Sequence, residues 1–311
     1  MKNNGKFLAF HASFVLIILA AVVGGGVGAI AKVSLREIPP LSFTLLRFLL
    51  TTGILLPFIV RSGKRLYGGN LKKIIPVSLL AAANIVLFIF GVERTTATAA
   101  QTLYAGVPLI AGIFSYFLLR ERIYQRKLFG LAIGFVGVLV IVLLPILERH
   151  TAFSGDMLGN ALIFAGVSSF ALYSVLSKQF QKTYSPLELT AFFVLATTAV
   201  QLLLEPLDVV HHYGWWNDIS VKAILGVFYV GVLGTGFYYL IYQYAIARTT
   251  PVVASMTLYL QPVFAFLWAA VLLGEKITAG FVIGAALTFI GVMLVTNFGR
   301  PENKDEFAAE I

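Results

Sequence analysis

The sequence predicts an all-α integral membrane protein of ten transmembrane helices, arranged as two inverted five-helix repeats. Three observations predict it: a strongly apolar composition, ten long uncharged or nearly uncharged stretches, and a duplication of the chain within itself. Hydrophobic residues make up 59% of the 311 positions, charged residues only 12%, and mean hydropathy is +0.90. A soluble domain of this composition would lack the polar surface to face water, so lipid is its solvent.

Uncharged stretches run from Val15 to Ala31, Ile74 to Val92, Thr95 to Leu119, Leu128 to Leu147, Met157 to Ser177, Ala223 to Ala247, Thr249 to Gly274 and Ile277 to Gly299. Each is close to or longer than the roughly 20 residues that carry a helix across the hydrocarbon layer. Two more, Leu41 to Val60 and Leu189 to Leu207, each hold one ionisable residue, Arg47 and Glu205. The first stretch is too long for the apolar core of a signal peptide and no cleavage site follows it before Lys32, so it counts as a span.

The duplication is read in fixed register. Between Arg94 and Val138, fifteen of 45 residues are identical to those 154 positions later: Arg94-Thr95-Thr96 recurs as Arg248-Thr249-Thr250, Pro108 as Pro262, Glu121 as Glu275 and Gly137-Val138 as Gly291-Val292. With an offset of 146, Lys32, Pro40-Leu41 and Thr51-Thr52 match Lys178, Pro186-Leu187 and Thr197-Thr198. The halves are therefore 1–150 and 151–300, followed by a polar tail, 301–311, that composition predicts to be disordered. Five spans is an odd number, so the second half enters the membrane from the opposite side, the arrangement on which alternating access is built.

Basic residues set the orientation. With the N-terminus inside, sixteen Lys and Arg fall on inner segments and six on outer loops, which predicts a plasma (inner) membrane protein with both termini cytoplasmic. The net charge of +9 and pI of 9.7 follow from these scattered loop residues and do not point to nucleic acid. The absence of cysteine excludes a disulfide framework and thiolate metal sites. His211-His212, beside Trp215 and Trp216, reads as part of an interfacial anchor and not as a metal site.

Taken together, Lys32 at the end of helix one, Arg47-Phe48 in helix two, mid-helix Pro108 followed by Leu118-Leu119-x-Glu121-x-Ile123, then Gly130 and Gly137-Val138, with echoes at Pro262, Glu275, Gly284 and Gly291-Val292, resemble the EamA-type members of the drug/metabolite transporter superfamily. The resemblance covers nearly the whole chain. It implies a ten-helix transporter of small metabolites, often an exporter of amino acids or related compounds, with a central cavity between the halves. One departure is visible: relatives often carry a Trp-Gly pair in helix one, where this chain has Val23-Gly24-Gly25-Gly26. That cluster imitates a dinucleotide-binding fingerprint, but no βαβ unit or acidic partner follows, and close helix packing is the better account. The pairs Gly130-x-x-x-Gly134 and Gly280-x-x-x-Gly284 read the same way.

Candidate site residues are those that share a helical face inside the spans. In helix four, Gln101, Ala105 and Pro108 lie on one face, and their helix-nine counterparts are Ser255, Tyr259 and Pro262; the prolines free the carbonyls of Tyr104 and Leu258 one turn earlier. Each proline removes a backbone hydrogen bond one turn earlier and marks a hinge. Asn84 and Phe88 in helix three pair by repeat with Tyr238 and Tyr242 in helix eight, and helix six adds Ser169 and Tyr173. The expected substrate-binding set is Asn84, Phe88, Gln101, Tyr104, Ser169, Tyr173, Tyr238, Tyr242, Ser255 and Tyr259, with Arg47, Pro108 and Pro262 as structural or gating residues. The competing reading is that the tyrosines pack against neighbours or cap helix ends, as Tyr229 and Tyr244 are placed to do.

Arg47 also has two readings. It clamps to Glu93 or Glu37 near the outer surface, or it receives a substrate carboxylate; the cost of an unpaired arginine in lipid favours the clamp. No Asp or Glu lies at the middle of a span, so proton coupling has no obvious seat, and Glu205 beside Pro206 reads as solvated. A membrane enzyme would place catalytic or metal-binding groups within the bilayer and a sensor would carry a large soluble domain; neither is present. The reading is a transporter without cofactor, metal or catalytic residues. Its partners are a small-molecule substrate, with aromatic or other hydrophobic amino acids in the export direction as the specific expectation, and the lipid bilayer; the pattern selects neither monomer nor dimer.

Overall fold

The computed structural model describes residues 2–61, 71–95, 97–121, 123–149, 156–273 and 279–298. The polar tail and the Glu275 copy of the loop motif lie outside these residues. Ten helices are long and apolar enough to cross a membrane, and among the described residues there is no strand.

In chain order they are α1 (Lys2–Ser34), α2 (Pro40–Arg61), α3 (Leu71–Val92), α4 in two pieces (α4a, Ala97–Tyr104, and α4b, Val107–Leu119), α5 (Gln125–Arg149), α6 (Met157–Phe180), α7 (Pro186–His211), α8 (Val221–Arg248), α9 (Pro251–Leu273) and α10 (Ala279–Phe298). Proline opens α2, α7 and α9, where its missing N–H would have had no helical partner. Ser185 and Glu188 close a capping box on α7, and Ser220 caps α8 by accepting from the Ala223 N–H at 3.2 Å. A short 3-10 turn, Trp215–Asp218, joins α7 to α8.

Two spans depart from a regular helix. α4 breaks at Ala105–Gly106, so Pro108 sits in the first turn of α4b. Its repeat counterpart Pro262 lies inside an α9 without such a break. The physical difference is local: Ala105-Gly106 precedes Pro108 by two positions, whereas bulky Tyr259-Leu260 holds the same place before Pro262. α8 contains a π-helical segment, Val230–Phe237, in which the Thr235 hydroxyl donates to the Val230 carbonyl at 2.9 Å. Gly231 and Gly236 let α2 approach and Gly234 lets α1 approach, and the Thr51 hydroxyl donates to the Gly231 carbonyl at 2.7 Å.

Packing runs through small residues, as it must where lipid offers no apolar driving force between helices. The longest crossing is α5 on α10. A Cβ added at Gly137 would lie 2.7 Å from the Gly284 carbonyl oxygen, and one at Gly25 in α1 would lie 2.7 Å from the Ala265 backbone nitrogen in α9. The glycine faces are thus used within one chain. α3 lies against α6 and α7, and α2 lies between α7 and α8. Large apolar side chains such as Phe117, Leu203 and Val271 project outward, 71%, 80% and 80% exposed, as expected for a surface wetted by acyl chains.

Gly137→Ala should therefore destabilise the protein by about 1–3 kcal/mol through overpacking, read as a lowered midpoint of thermal unfolding in detergent. Gly28→Ala, where an added methyl meets nothing within 4 Å, should leave the midpoint unchanged.

Candidate functional site

The interior of the helix assembly holds a connected group of rings around one cation. Phe170 and Tyr173 of α6, Phe193 of α7 and Tyr238, Tyr239 and Tyr242 of α8 form a continuous set, with Phe193 and Tyr239 centroids 4.5 Å apart and Phe170 and Tyr242 5.4 Å apart. Tyr238 and Tyr242 stack with 15° between planes at 6.2 Å. On the α3–α4 side, Phe88 meets Tyr104 edge-on at 5.3 Å.

The hydroxyls of Tyr104, Tyr173, Tyr238 and Tyr242 are tied down. Asn84 donates to the Tyr104 hydroxyl at 2.6 Å and to the Gly166 carbonyl at 2.9 Å. Gln243 donates to the Tyr173 hydroxyl at 2.7 Å, Gln261 donates to the Tyr238 hydroxyl at 3.0 Å, and Ser174 and Tyr242 share a hydrogen bond of 3.0 Å. An amide or phenol in hydrocarbon must find such partners, and here each finds one on another helix or another turn.

Arg47 of α2 reaches into this group. Its guanidinium lies 5.1 Å from the Phe48 ring centroid, and the ionisable groups that act on it electrostatically are the phenols of Tyr239 and Tyr104. Among the described residues no carboxylate pairs with it, and its Nε is buried without a hydrogen-bond partner. Arg47, Tyr104, Tyr239 and Phe88 lie deep within the assembly, yet each keeps part of its surface open.

The acids named for a clamp are occupied elsewhere. Glu37 accepts from the backbone N–H and the hydroxyl of Ser220 at 2.7 and 2.8 Å. Glu93 lies beside Asp208, Arg94 and His212; burial pushes its carboxyl above the ordinary carboxylate range, with the Asp208 charge adding to the rise. Glu205 is half-buried, not solvated: one oxygen accepts from the Ser42 hydroxyl at 2.9 Å and the other is buried without a partner. Asp208 accepts from the Ser42 N–H at 2.9 Å, so both acids hold α7 to α2.

Of the residues expected at the site, Asn84, Phe88, Tyr104, Tyr173, Tyr238 and Tyr242 lie in or against the ring group. Ser169 serves instead as a tie between α6 and α3, donating to the Leu80 carbonyl at 2.7 Å. Ser255 and Tyr259 are fully buried; Ser255 donates back to the Val252 carbonyl at 2.8 Å and Tyr259 donates to the Leu131 carbonyl at 3.2 Å within a separate core shared with α5 and α10. Gln101 is exposed on α4a. Tyr239, Phe170, Phe193 and Gln243 were not among the expected residues. Tyr239 escapes a count of α-helical spacing because the π segment before it shifts the register of the rest of α8, and the only trace in the sequence is the crowding of Gly231, Gly234 and Gly236.

One end of the assembly is closed by lysines. Lys178 at the end of α6 donates to the carbonyls of Ile246, Ala247 and Thr249 at 2.7, 3.2 and 2.7 Å, satisfying the C-terminus of α8. Lys127 of α5, 5% exposed, donates to the Thr250 hydroxyl at 3.4 Å. Burial pushes the nearby Glu121 carboxyl up, against the pull of both lysines. At the other end Lys32, the repeat counterpart of Lys178, is exposed.

Comparison with known proteins agrees with the geometry. The profile of the EamA-like transporter family matches twice, over residues 11–143 and 157–297. A protein described as an uncharacterized transporter from Archaeoglobus fulgidus is 25% identical over 287 residues, covering 90% of this chain and 96% of its own. A probable amino-acid metabolite efflux pump from Salmonella typhimurium is 28% identical over 299 residues, covering 90% and 93%. A protein of known crystal structure shares the fold with a TM-score of 0.73 at 20% identity, over 94% of this chain and 99% of that one.

Asn84→Leu should cost about 1–3 kcal/mol by leaving the Tyr104 hydroxyl and the Gly166 carbonyl without their shared donor, measured as a fall in thermal stability. The Glu37–Ser220 contact predicts a pH effect. The Ser220 N–H, then its hydroxyl, holds the Glu37 carboxyl below its ordinary value of 4.5. A carboxyl lowered by folding stabilises above the unfolded value and loses that contribution as pH falls through the folded one. Unfolding midpoints of Glu37→Gln and the native chain should therefore differ at pH 7 and converge as pH is lowered below about 4.

Proposed function

This chain belongs to the EamA-like transporter family and is a multi-pass membrane transporter, and from that premise we propose that it exports small metabolites, amino acids or related carboxylates with aromatic or apolar side chains, by alternating access through the space bordered by Arg47 and the ring group. The observation that carries this reading is an unpaired arginine among aromatic side chains at the interior of ten apolar helices. Rings supply stacking surface to an apolar side chain, and the guanidinium supplies a fork for a carboxylate.

We read the chain as two five-helix copies, 1–150 and 151–300, inserted in opposite directions, with both termini on the cytoplasmic side of the plasma (inner) membrane. The two family matches support two copies, and the excess of Lys and Arg on one set of loops supports the orientation. The broken α4 and the π segment of α8 are the places where the backbone has room to move, and both border the ring group. The lysine cluster at Lys127 and Lys178 closes one end in this conformation and is the set of contacts that must part when the space opens there. The Salmonella protein described as a probable amino-acid metabolite efflux pump supports the substrate class and direction.

Purified protein in liposomes loaded with a panel of labelled amino acids and related carboxylates should release aromatic and large apolar members faster than small polar ones, with little change when a pH gradient is imposed. Arg47→Gln should lower the rate for every carboxylate by tenfold or more while the protein keeps its thermal unfolding midpoint within a few degrees. Loss of folding without a change in relative rates among substrates would return Arg47 to a purely structural role.

A further inference from the structure

The charge balance around Arg47 narrows the substrate further, an inference that rests on reading the ring group as the transport site. A zwitterionic amino acid brings one anion and one cation, and each must be matched when it leaves water. The ring group offers one cation and no anion. The acids lie elsewhere: Glu188 closes a capping box, Asp208 and one oxygen of Glu205 accept from Ser42, Glu37 accepts from Ser220, and Glu121 sits beside Lys127 and Lys178, while the ionisable groups acting on Arg47 are phenols. The remaining polar atoms, the Asn84 and Gln243 amides and the Tyr104 and Tyr173 hydroxyls, are paired with one another.

We propose that the preferred substrate is an aromatic monocarboxylate that lacks a free ammonium group, bound through Arg47 and stacked on Tyr239 and Phe88, and that it crosses as a net anion with the membrane potential as its driving force. The Arg47 charge is present both before and after the substrate leaves, so each full cycle carries one negative charge outward. A cell interior that is negative drives that movement, and at equilibrium it supports a concentration ratio of roughly 50-fold per 100 mV. This explains how an exporter works with no carboxylate or histidine at mid-span to carry protons: the substrate's own charge couples it to the energy source.

The test compares three molecules that share a phenol ring: 4-hydroxyphenyllactate (carboxylate, no ammonium), tyrosine (both) and tyramine (ammonium only). The full chain is reconstituted in liposomes, a potassium gradient with valinomycin sets the potential, and protein-free liposomes give the baseline. The expected result is efflux of 4-hydroxyphenyllactate at least tenfold faster than tyrosine, tyramine at baseline, and acceleration of the anion when the loaded side is made negative. Arg47→Gln should abolish the anion's movement and Arg47→Lys should retain part of it; should Arg47→Gln fail to fold, the potential dependence of the native protein still decides. Tyrosine favoured over 4-hydroxyphenyllactate, with no response to potential, overturns the proposal and leaves the transporter reading intact. Movement of none of the three, nor of any amino acid in the wider panel, overturns both.

Discussion

A peptide group inside a bilayer has no water to bond, so every backbone donor and acceptor must be satisfied by the chain itself. Most of this architecture follows from that constraint. It makes the spans helical, it allows them to touch mainly where glycine and other small residues let backbones approach, and it confines irregular backbone to the protein interior. α4 breaks beside α3 and α6, α8 widens against α1 and α2, and the widened turn of α8 spends one carbonyl on Thr51 of α2 and another on its own Thr235. The same demand explains Lys178, whose ammonium covers three carbonyls that the end of α8 leaves open.

Arg47 breaks the pattern of satisfaction. The amides of Asn84 and Gln243 and the hydroxyls of Tyr104, Tyr173, Tyr238 and Tyr242 have partners, while the one full charge has only aromatic faces and phenols around it. An uncompensated cation in low dielectric is costly, so its retention argues for an anion supplied from outside the chain. The clamp inferred from sequence rested on proximity in span depth; the geometry gives Glu37 to Ser220 and sets Glu93 among Asp208, Arg94 and His212.

Ten spans were legible because lipid imposes a length and a composition that survive in any single sequence. Asn84, Tyr173, Tyr238 and Tyr242 stood out because polar and aromatic groups within a span contrast with leucine and valine, whereas Tyr104 entered only through the carbonyl that Pro108 frees. What was not legible is register. Tyr259 and Ser255 share a face with Pro262 on an ideal helix, but that face of α9 packs on α5 and α10. Tyr239 was passed over for the complementary reason, since a single wide turn upstream rotates it into the interior. Repeat symmetry does not extend to the break, since α4 breaks before Pro108 while α9 continues through Pro262, and the residues before each proline differ.

The eight residues from Val230 to Phe237 hold one position more than an α-helix of the same rise would need. Removing that surplus would turn everything beyond it by about 100° about the helix axis, swinging the Tyr239 phenol away from Arg47 and bringing a neighbour into its place. A one-codon deletion or insertion in this stretch thus exchanges the whole aromatic lining of α8 at a stroke, so relatives that differ only in the length of this segment would present different walls to their cargo while keeping the same helices.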